Sequence, residues 1–163
     1  MSIRILVTGG TFDKDYDEIE GKLYFHRTHV RDMLKRARCR LSVTVQQLML
    51  KDSLEMTDAD RKRILSVSRR ARERRIVITH GTDTMEKTAR VLGEAGLSKT
   101  IILTGAMIPY NFGGSSDGLF NLGSALSFSQ SLPNGVYVAM NGEVFPWDSV
   151  KKNRRLGRFE RRS

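Results

Sequence analysis

Ile76-Val77-Ile78-Thr79-His80-Gly81-Thr82-Asp83-Thr84-Met85 is the stretch that decides the fold. Its first four residues form a short apolar run, the pattern of a strand buried on both faces. A glycine-containing loop follows. From residue 84 to residue 95 the period changes, and Met85, Ala89 and Leu92 share one side of a helix. The same strand, loop and helix pattern recurs on both sides. Upstream, residues 3–8 read as a first strand, followed by a glycine-rich turn and an acidic loop to about residue 21. Residues 28–38 suit a helix, with Val30, Met33, Leu34 and Ala37 on one apolar face. Residues 41–47 alternate like a strand, and Thr57-Asp58-Ala59-Asp60 opens a further helix, with Thr57 as cap and acids at the positive end of the dipole. Downstream come a strand at 100–104, a helix from Ser116 to about Gln130 and a strand at 135–140. Strands separated by helices require parallel, right-handed crossovers. The expectation is therefore an α/β fold with a parallel sheet and helices on both faces, in three layers.

Length, charge and cysteine content narrow the class. The 163 residues suit one domain with a sizeable core. No apolar run is long enough to span a bilayer, which argues against a membrane protein. Met1–Thr8 reads as a buried strand rather than a secretory leader. Cys39 is the one cysteine, so no internal disulfide forms, and a reducing, cytoplasmic setting fits. The net charge of +10 is concentrated: residues 60–75 and 151–163 carry +6 each. No aromatic residues are interleaved in the first of these, so a solvated helix face and a basic tail are expected rather than a nucleic-acid surface. No repeat, linker or low-complexity block appears. Residues 1–153 are read as one α/β domain and 154–163 as a basic C-terminal tail.

Ligands of open parallel sheets lie beyond the carboxyl ends of the strands. The residues there are Thr8-Gly9-Gly10-Thr11, His80-Gly81-Thr82-Asp83-Thr84, Gly105-Ala106-Met107-Ile108-Pro109 and Asn141-Gly142-Glu143. Two of these loops set a hydroxyl beside glycine, which lets a substrate approach the backbone. The first is neither G-x-G-x-x-G nor a phosphate-binding loop with G-K-[ST], so a nucleotide site is not expected. A threonine is a poor nucleophile until a neighbour takes its proton. Thr82-Asp83 sets a hydroxyl beside a carboxylate, and a lysine from elsewhere can complete the relay. Pattern alone leaves a second reading open: Asp83-Thr84 with Glu86 is also a helix-capping sequence.

Five segments, in order, resemble those of the L-asparaginase family. They are Thr8-Gly-Gly-Thr11; Asp52-Ser53-Leu54-Glu55-Met56-Thr57; His80-Gly-Thr-Asp-Thr-Met85; Thr104-Gly-Ala-Met107-Ile-Pro109 with Ser116-Asp117-Gly118 and Asn121-Leu122; and Val138-Ala-Met-Asn141 onward. The resemblance reaches about residue 153. It implies a flavodoxin-like (Rossmann-like) sheet and hydrolysis of the side-chain amide of asparagine or a related small amide. Thr11 is then the nucleophile, and Thr82, Asp83 and a lysine form a triad. Asp83 also holds the substrate's α-ammonium and Ser53 its α-carboxylate. Gly10, Glu55, Gly81 and Ala106 complete the implied substrate-binding set, and backbone N–H groups near Thr11 and Thr82 receive the oxyanion. No metal or organic cofactor is implied.

Two assignments stay open at this point. Asp148 and Asn153 point to Lys151 as the triad lysine, whereas counting forward from Met140 gives Lys152; Lys151 is preferred. The tyrosine that assists Thr11 is Tyr16 or Tyr24, with spacing favouring Tyr24. Leu54 stands where many members carry a polar residue. Family members continue into a second domain that packs against a neighbouring subunit, whereas this chain stops at Ser163. Read as a stand-alone relative, it is expected to be a homodimer acting weakly or on an unusual amide. Two other readings compete: a non-catalytic module that binds asparagine or aspartate, and a basic interaction protein on an old enzyme fold.

Overall fold

A computed structural model describes residues 1–163. In chain order the elements are β1 (Ser2–Gly9), β2 (Lys14–Asp17), β3 (Lys22–Phe25), α1 (Val30–Arg36), β4 (Ser42–Lys51), α2 (Asp58–Arg70), β5 (Arg75–Thr79), α3 (Met85–Glu94), β6 (Thr100–Thr104), α4 (Gly118–Ser131), β7 (Gly135–Met140), β8 (Glu143–Pro146), β9 (Val150–Asn153) and β10 (Arg158–Arg161). Three 3-10 turns, Thr11–Asp13, Ser53–Glu55 and Tyr110–Ser115, lie in the loops.

The central sheet has the order β4-β1-β5-β6-β7-β8. The first five run parallel, and by chain order they read 2-1-3-4-5, the flavodoxin-like arrangement. The sheet departs from the all-parallel expectation at one edge, where β8 turns back antiparallel on β7. The cause is local. Asn141-Gly142 links Met140 to Glu143, and both turn residues have positive φ, 52° and 90°. That is the two-residue turn matched to strand twist.

Alternation along each strand divides the core into two layers. Leu6, Ile76, Ile78, Ile101, Leu103 and Val138 pack with Ile64 of α2 and Met85, Ala89 and Leu92 of α3. Ile5, Val7, Val77, Ile102 and Ala139 face the other way, toward Val30 and Met33 of α1 and Leu122 and Ala125 of α4. The three layers follow from that division. Thr57 caps α2 through the backbone of Asp60, whose carboxylate returns to the Thr57 N–H, a reciprocal box. No helix is long and apolar enough to cross a membrane.

Residues 154–163 are not a free basic tail. β10 pairs antiparallel with β9, and Phe159 and Val150 are buried in the α3 side of the core. The Trp147 indole packs so closely on α3 that a Cβ on Gly93 would lie 2.2 Å from it. A single apolar residue, Phe159, thus converts a cationic stretch into a folded edge. The basic face of α2 is also less uniform than expected: Arg61 turns inward and is 6% exposed.

Candidate functional site

The order of the strands places the two hydroxyl loops together. β1 and β5 are neighbours, with Val7 and Thr79 in register, so their exits lie side by side at the point where the strand order reverses. Thr8 Oγ1 donates to the Thr79 carbonyl at 2.7 Å, locking the two ends. Beyond them the glycines meet. A Cβ on Gly10 would lie 2.4 Å from Gly81 Cα, and a Cβ on Gly81 would lie 2.6 Å from the Ser53 side chain. Side chains at either position would force the three loops apart. Gly10 also has φ 78°, a region that favours glycine. Gly10 and Gly81 therefore set the spacing between the loops of Thr11, Thr82 and Ser53.

The Thr82 loop is braced by buried polar bonds. Thr84 N–H donates to Ser53 Oγ at 3.2 Å, and Thr84 Oγ1 donates to the Ser53 carbonyl at 2.7 Å. Arg61 reaches in beneath, donating to Thr84 Oγ1, Thr88 Oγ1 and the Met56 carbonyl at 3.0–3.2 Å. His80 is fully buried between the Gly81 carbonyl and Thr88 Oγ1, 2.7 Å from each. Burial pushes its imidazole down to about 4. His80 is thus structural and neutral at physiological pH. The capping alternative for Asp83-Thr84 is not realised: Thr84 makes no side-chain cap bond, and Asp83 turns elsewhere.

Asp83 meets Lys152. Lys152 Nζ lies 2.7 Å from Thr82 Oγ1 and 2.8 Å from Asp83 Oδ1. The preferred Lys151 is the wrong neighbour. Strand residues two apart share a face, and Val150 is buried with Phe159, the cross-strand partner of Lys152. Lys152 therefore faces the crevice, while Lys151 lies opposite Glu160 and is exposed. Arg154, which the sequence reading passed over, also bonds Asp83: Nη1 to Oδ1 at 2.9 Å and Nη2 to the backbone carbonyl at 3.1 Å.

The remaining candidates divide. Thr11 opens a 3-10 turn directly after Gly10 and is partly exposed. Ser53 is 1% exposed and already accepts the Thr84 N–H, so its hydroxyl belongs to the floor of the crevice. Ala106 is buried. Glu55 is exposed and makes no ion pair or side-chain hydrogen bond. Tyr24 lies on β3, opposite Asp15, with 44% exposure. It and Tyr16 line a cavity of about 450 Å³ with His26, His29, Asn111 and Phe112, and no hydrogen bond joins either tyrosine to Thr11.

Three polar residues hold the surroundings. Asp52 accepts Lys14 Nζ at 2.8 Å, and that bond is the main reason its carboxyl lies below the usual range; the charge of Lys152 adds to it. Asp117 accepts the Met107 and Ile108 N–H groups and Asn141 Nδ2. Burial alone would raise its pKa, but these hydrogen bonds together outweigh it and hold the carboxyl low. Asn121 donates to the Gly105 carbonyl and accepts from the Asn141 N–H, linking the exits of β6 and β7. Asp117 and Asn121 were visible only as parts of a resembling segment.

The chain matches known proteins along nearly its whole length. The family description "Asparaginase, N-terminal" matches residues 2–158. The chain is 43% identical over 81 residues to a glutaminase-asparaginase of Acinetobacter glutaminasificans, covering 47% of this chain and 24% of that protein. The thermostable L-asparaginase of Thermococcus kodakarensis superposes with a TM-score of 0.87 at 29% identity, over 99% of this chain and 51% of that one. L-asparaginase I of Vibrio cholerae gives 0.86 at 27%, over 98% and 51%. The chain thus spans about half of each of these solved relatives.

Proposed function

Since the chain belongs to the asparaginase amino-terminal domain family, we propose that it is an amidohydrolase, converting the side-chain amide of asparagine or a related small amide to the acid and ammonia. One observation carries the reading: Lys152 Nζ bridges Thr82 Oγ1 and Asp83 Oδ1 in a loop whose glycine is packed against that of Thr11. A 2.7 Å contact is within proton-transfer reach. In this reading the Thr11 hydroxyl adds to the amide carbon and backbone N–H groups near Thr11 and Thr82 receive the oxyanion. Ammonia leaves, and water then cleaves the acyl–threonine ester. The proton of Thr11 passes by way of Thr82 to Lys152 in its free-amine form, which Asp83 orients, and from Lys152 to the departing ammonia. The assistant of Thr11 in this reading is Tyr24, on β3 of the hairpin that follows Thr11.

The same reading includes a cytoplasmic setting and a homodimer. The lone Cys39 suits a reducing compartment. Phe120 and Leu156, 61% and 55% exposed, offer apolar surface for self-association. Ammonia release from asparagine, glutamine and short amides tests the chemistry. Thr11→Ala and Thr82→Ala are each expected to lose on the order of 10²–10⁴ in rate. Turnover that survives both substitutions removes the assignment of hydroxyls. Aspartate binding by a chain that releases no ammonia favours the non-catalytic module instead.

A further inference from the structure

Given the amidohydrolase reading, the charges around Asp83 bear on which amide the crevice takes. Asp83 Oδ1 receives two cations, Lys152 Nζ at 2.8 Å and Arg154 Nη1 at 2.9 Å. Arg154 also grips the Asp83 backbone carbonyl, so its guanidinium forks over the side chain and main chain of one residue. The second carboxylate nearby, Asp52, is paired with Lys14. His80 is neutral above about pH 4. Glu55, the other acid of the Ser53 loop, is exposed and engages none of these groups. With Lys152 charged, the set Lys14, Lys152, Arg154, Asp52 and Asp83 carries one surplus positive charge; with Lys152 neutral, as proton transfer requires, Arg154 alone still cancels Asp83 and Lys14 cancels Asp52.

An ammonium directed at Asp83 therefore meets no net negative charge in either state of Lys152. Asp83 Oδ2 makes no hydrogen bond, but a cation placed on it lies beside Lys152 and Arg154. Like charges brought together in a binding site select against a ligand as strongly as good contacts select for one. A carboxylate meets the opposite situation. Arg154 is 60% exposed, and its Nε–H has no partner, so a planar acid can be received at its edge.

We propose that Arg154 sets the substrate class: the crevice takes ω-monoamides of dicarboxylic acids whose α-ammonium is absent or acylated, and Arg154 receives the free carboxylate. The bonds broken and formed are those of any amide hydrolysis. The C–N bond breaks, water supplies oxygen to the acyl carbon, and of its two protons one leaves in the ammonia and the other stays with the acid. Only the group that anchors the far end of the substrate changes.

Calorimetric titration of succinate and L-aspartate, which differ in one ammonium, reads the inference without turnover. Wild type is expected to bind succinate at least about tenfold more tightly. Arg154→Gln is expected to erase or reverse that preference, and Arg154→Lys to keep part of it. The kcat/KM ratio of succinamate to asparagine should follow, through KM. Equal binding of the two acids by wild type, or a ratio that Arg154→Gln leaves unmoved, overturns the proposal. The two readings separate cleanly. A switch in binding with no ammonia from any amide sinks the amidohydrolase and leaves Arg154 as the selector. Asparagine turnover with an unmoved ratio does the reverse, and absence of both binding and turnover sinks both.

Discussion

The loop after β5 and the loop after β1 each present a threonine beside a glycine, but they are held by different forces. Around Thr82, the side chains of Ser53, Arg61, His80, Thr84 and Thr88 are buried and hydrogen-bonded to one another or to the backbone. Its lysine arrives on a hairpin nailed to the core by Val150 and Phe159. Thr11 instead leads into the β2–β3 hairpin, where Tyr16, Ile19, Leu23 and Tyr24 are 40–91% exposed. That hairpin is tied down at its base by polar groups: Asp15 bonds His29 Nε2 at 2.8 Å and Asn111, and Asp13 accepts the His29 N–H and Thr28 hydroxyl. Apolar burial is insensitive to pH, whereas buried carboxylates are not. The half of the crevice built on Thr82 is anchored through the apolar Val150–Phe159 hairpin, whereas beyond the buried Phe12 the half built on Thr11 is held by polar groups.

The sharpest way to break this contrast is through the lysines. Lys152→Met should lower amide turnover on the order of 10³-fold, while Lys151→Met, altering a neighbour that faces solvent, should leave it within about twofold. Equal losses would mean that the hairpin does not fix the lysine. Next in size is the apolar anchor. Phe159→Ala should destabilise the protein by about 3–5 kcal/mol in urea unfolding and free Lys152 from Thr82. A variant that unfolds like wild type would return residues 154–163 to the status of a tail.

The smallest effect is electrostatic, and the two loops carry it with opposite signs. Asp13 is buried with Oδ2 unpartnered, and burial pushes its carboxyl up to about 6, against lowering bonds from His29 and Thr28. A raised acid contributes stability that is full below its unfolded value near 3.8 and is lost as pH rises through 6. His80, pushed down to about 4, contributes stability that is full above 6.5 and is lost as pH falls through 4. The two slopes oppose each other between pH 4 and 6, each worth roughly 2–3 kcal/mol. Asp13→Asn should therefore leave a protein that weakens on acidification. His80→Gln should leave one that strengthens over the same window, whatever its overall loss. Thermal melts from pH 4 to pH 7 read both slopes, and parallel profiles for the two variants would refute the contrast.

Much of this was legible in the chain itself. Short apolar runs alternating with helical periods require a covered parallel sheet, because a strand without polar alternation must be buried on both faces. The residues just past each strand were likewise readable as one crevice, since parallel strands all end on the same side. Asn141-Gly142 carried a hairpin signal in plain view, and reading it would have supplied β8.

Other features depend on contacts far apart in sequence. Lys151 and Lys152 are adjacent and chemically identical, and the local spacing to Asp148 and Asn153 pointed to the one that faces away from the crevice. The choice was made by Phe159 entering the core, which fixed the pleat and turned Lys152 inward. Arg154 and Arg61 looked like members of basic runs until the fold set one over Asp83 and the other under Thr84. The amino-acid sequence determined the layers, the end of the sheet that binds and the two threonine loops, because periodicity and strand polarity are local properties. Which cations reach those loops was decided by tertiary structure alone, because the direction of a side chain on an edge strand follows from what its neighbours bury.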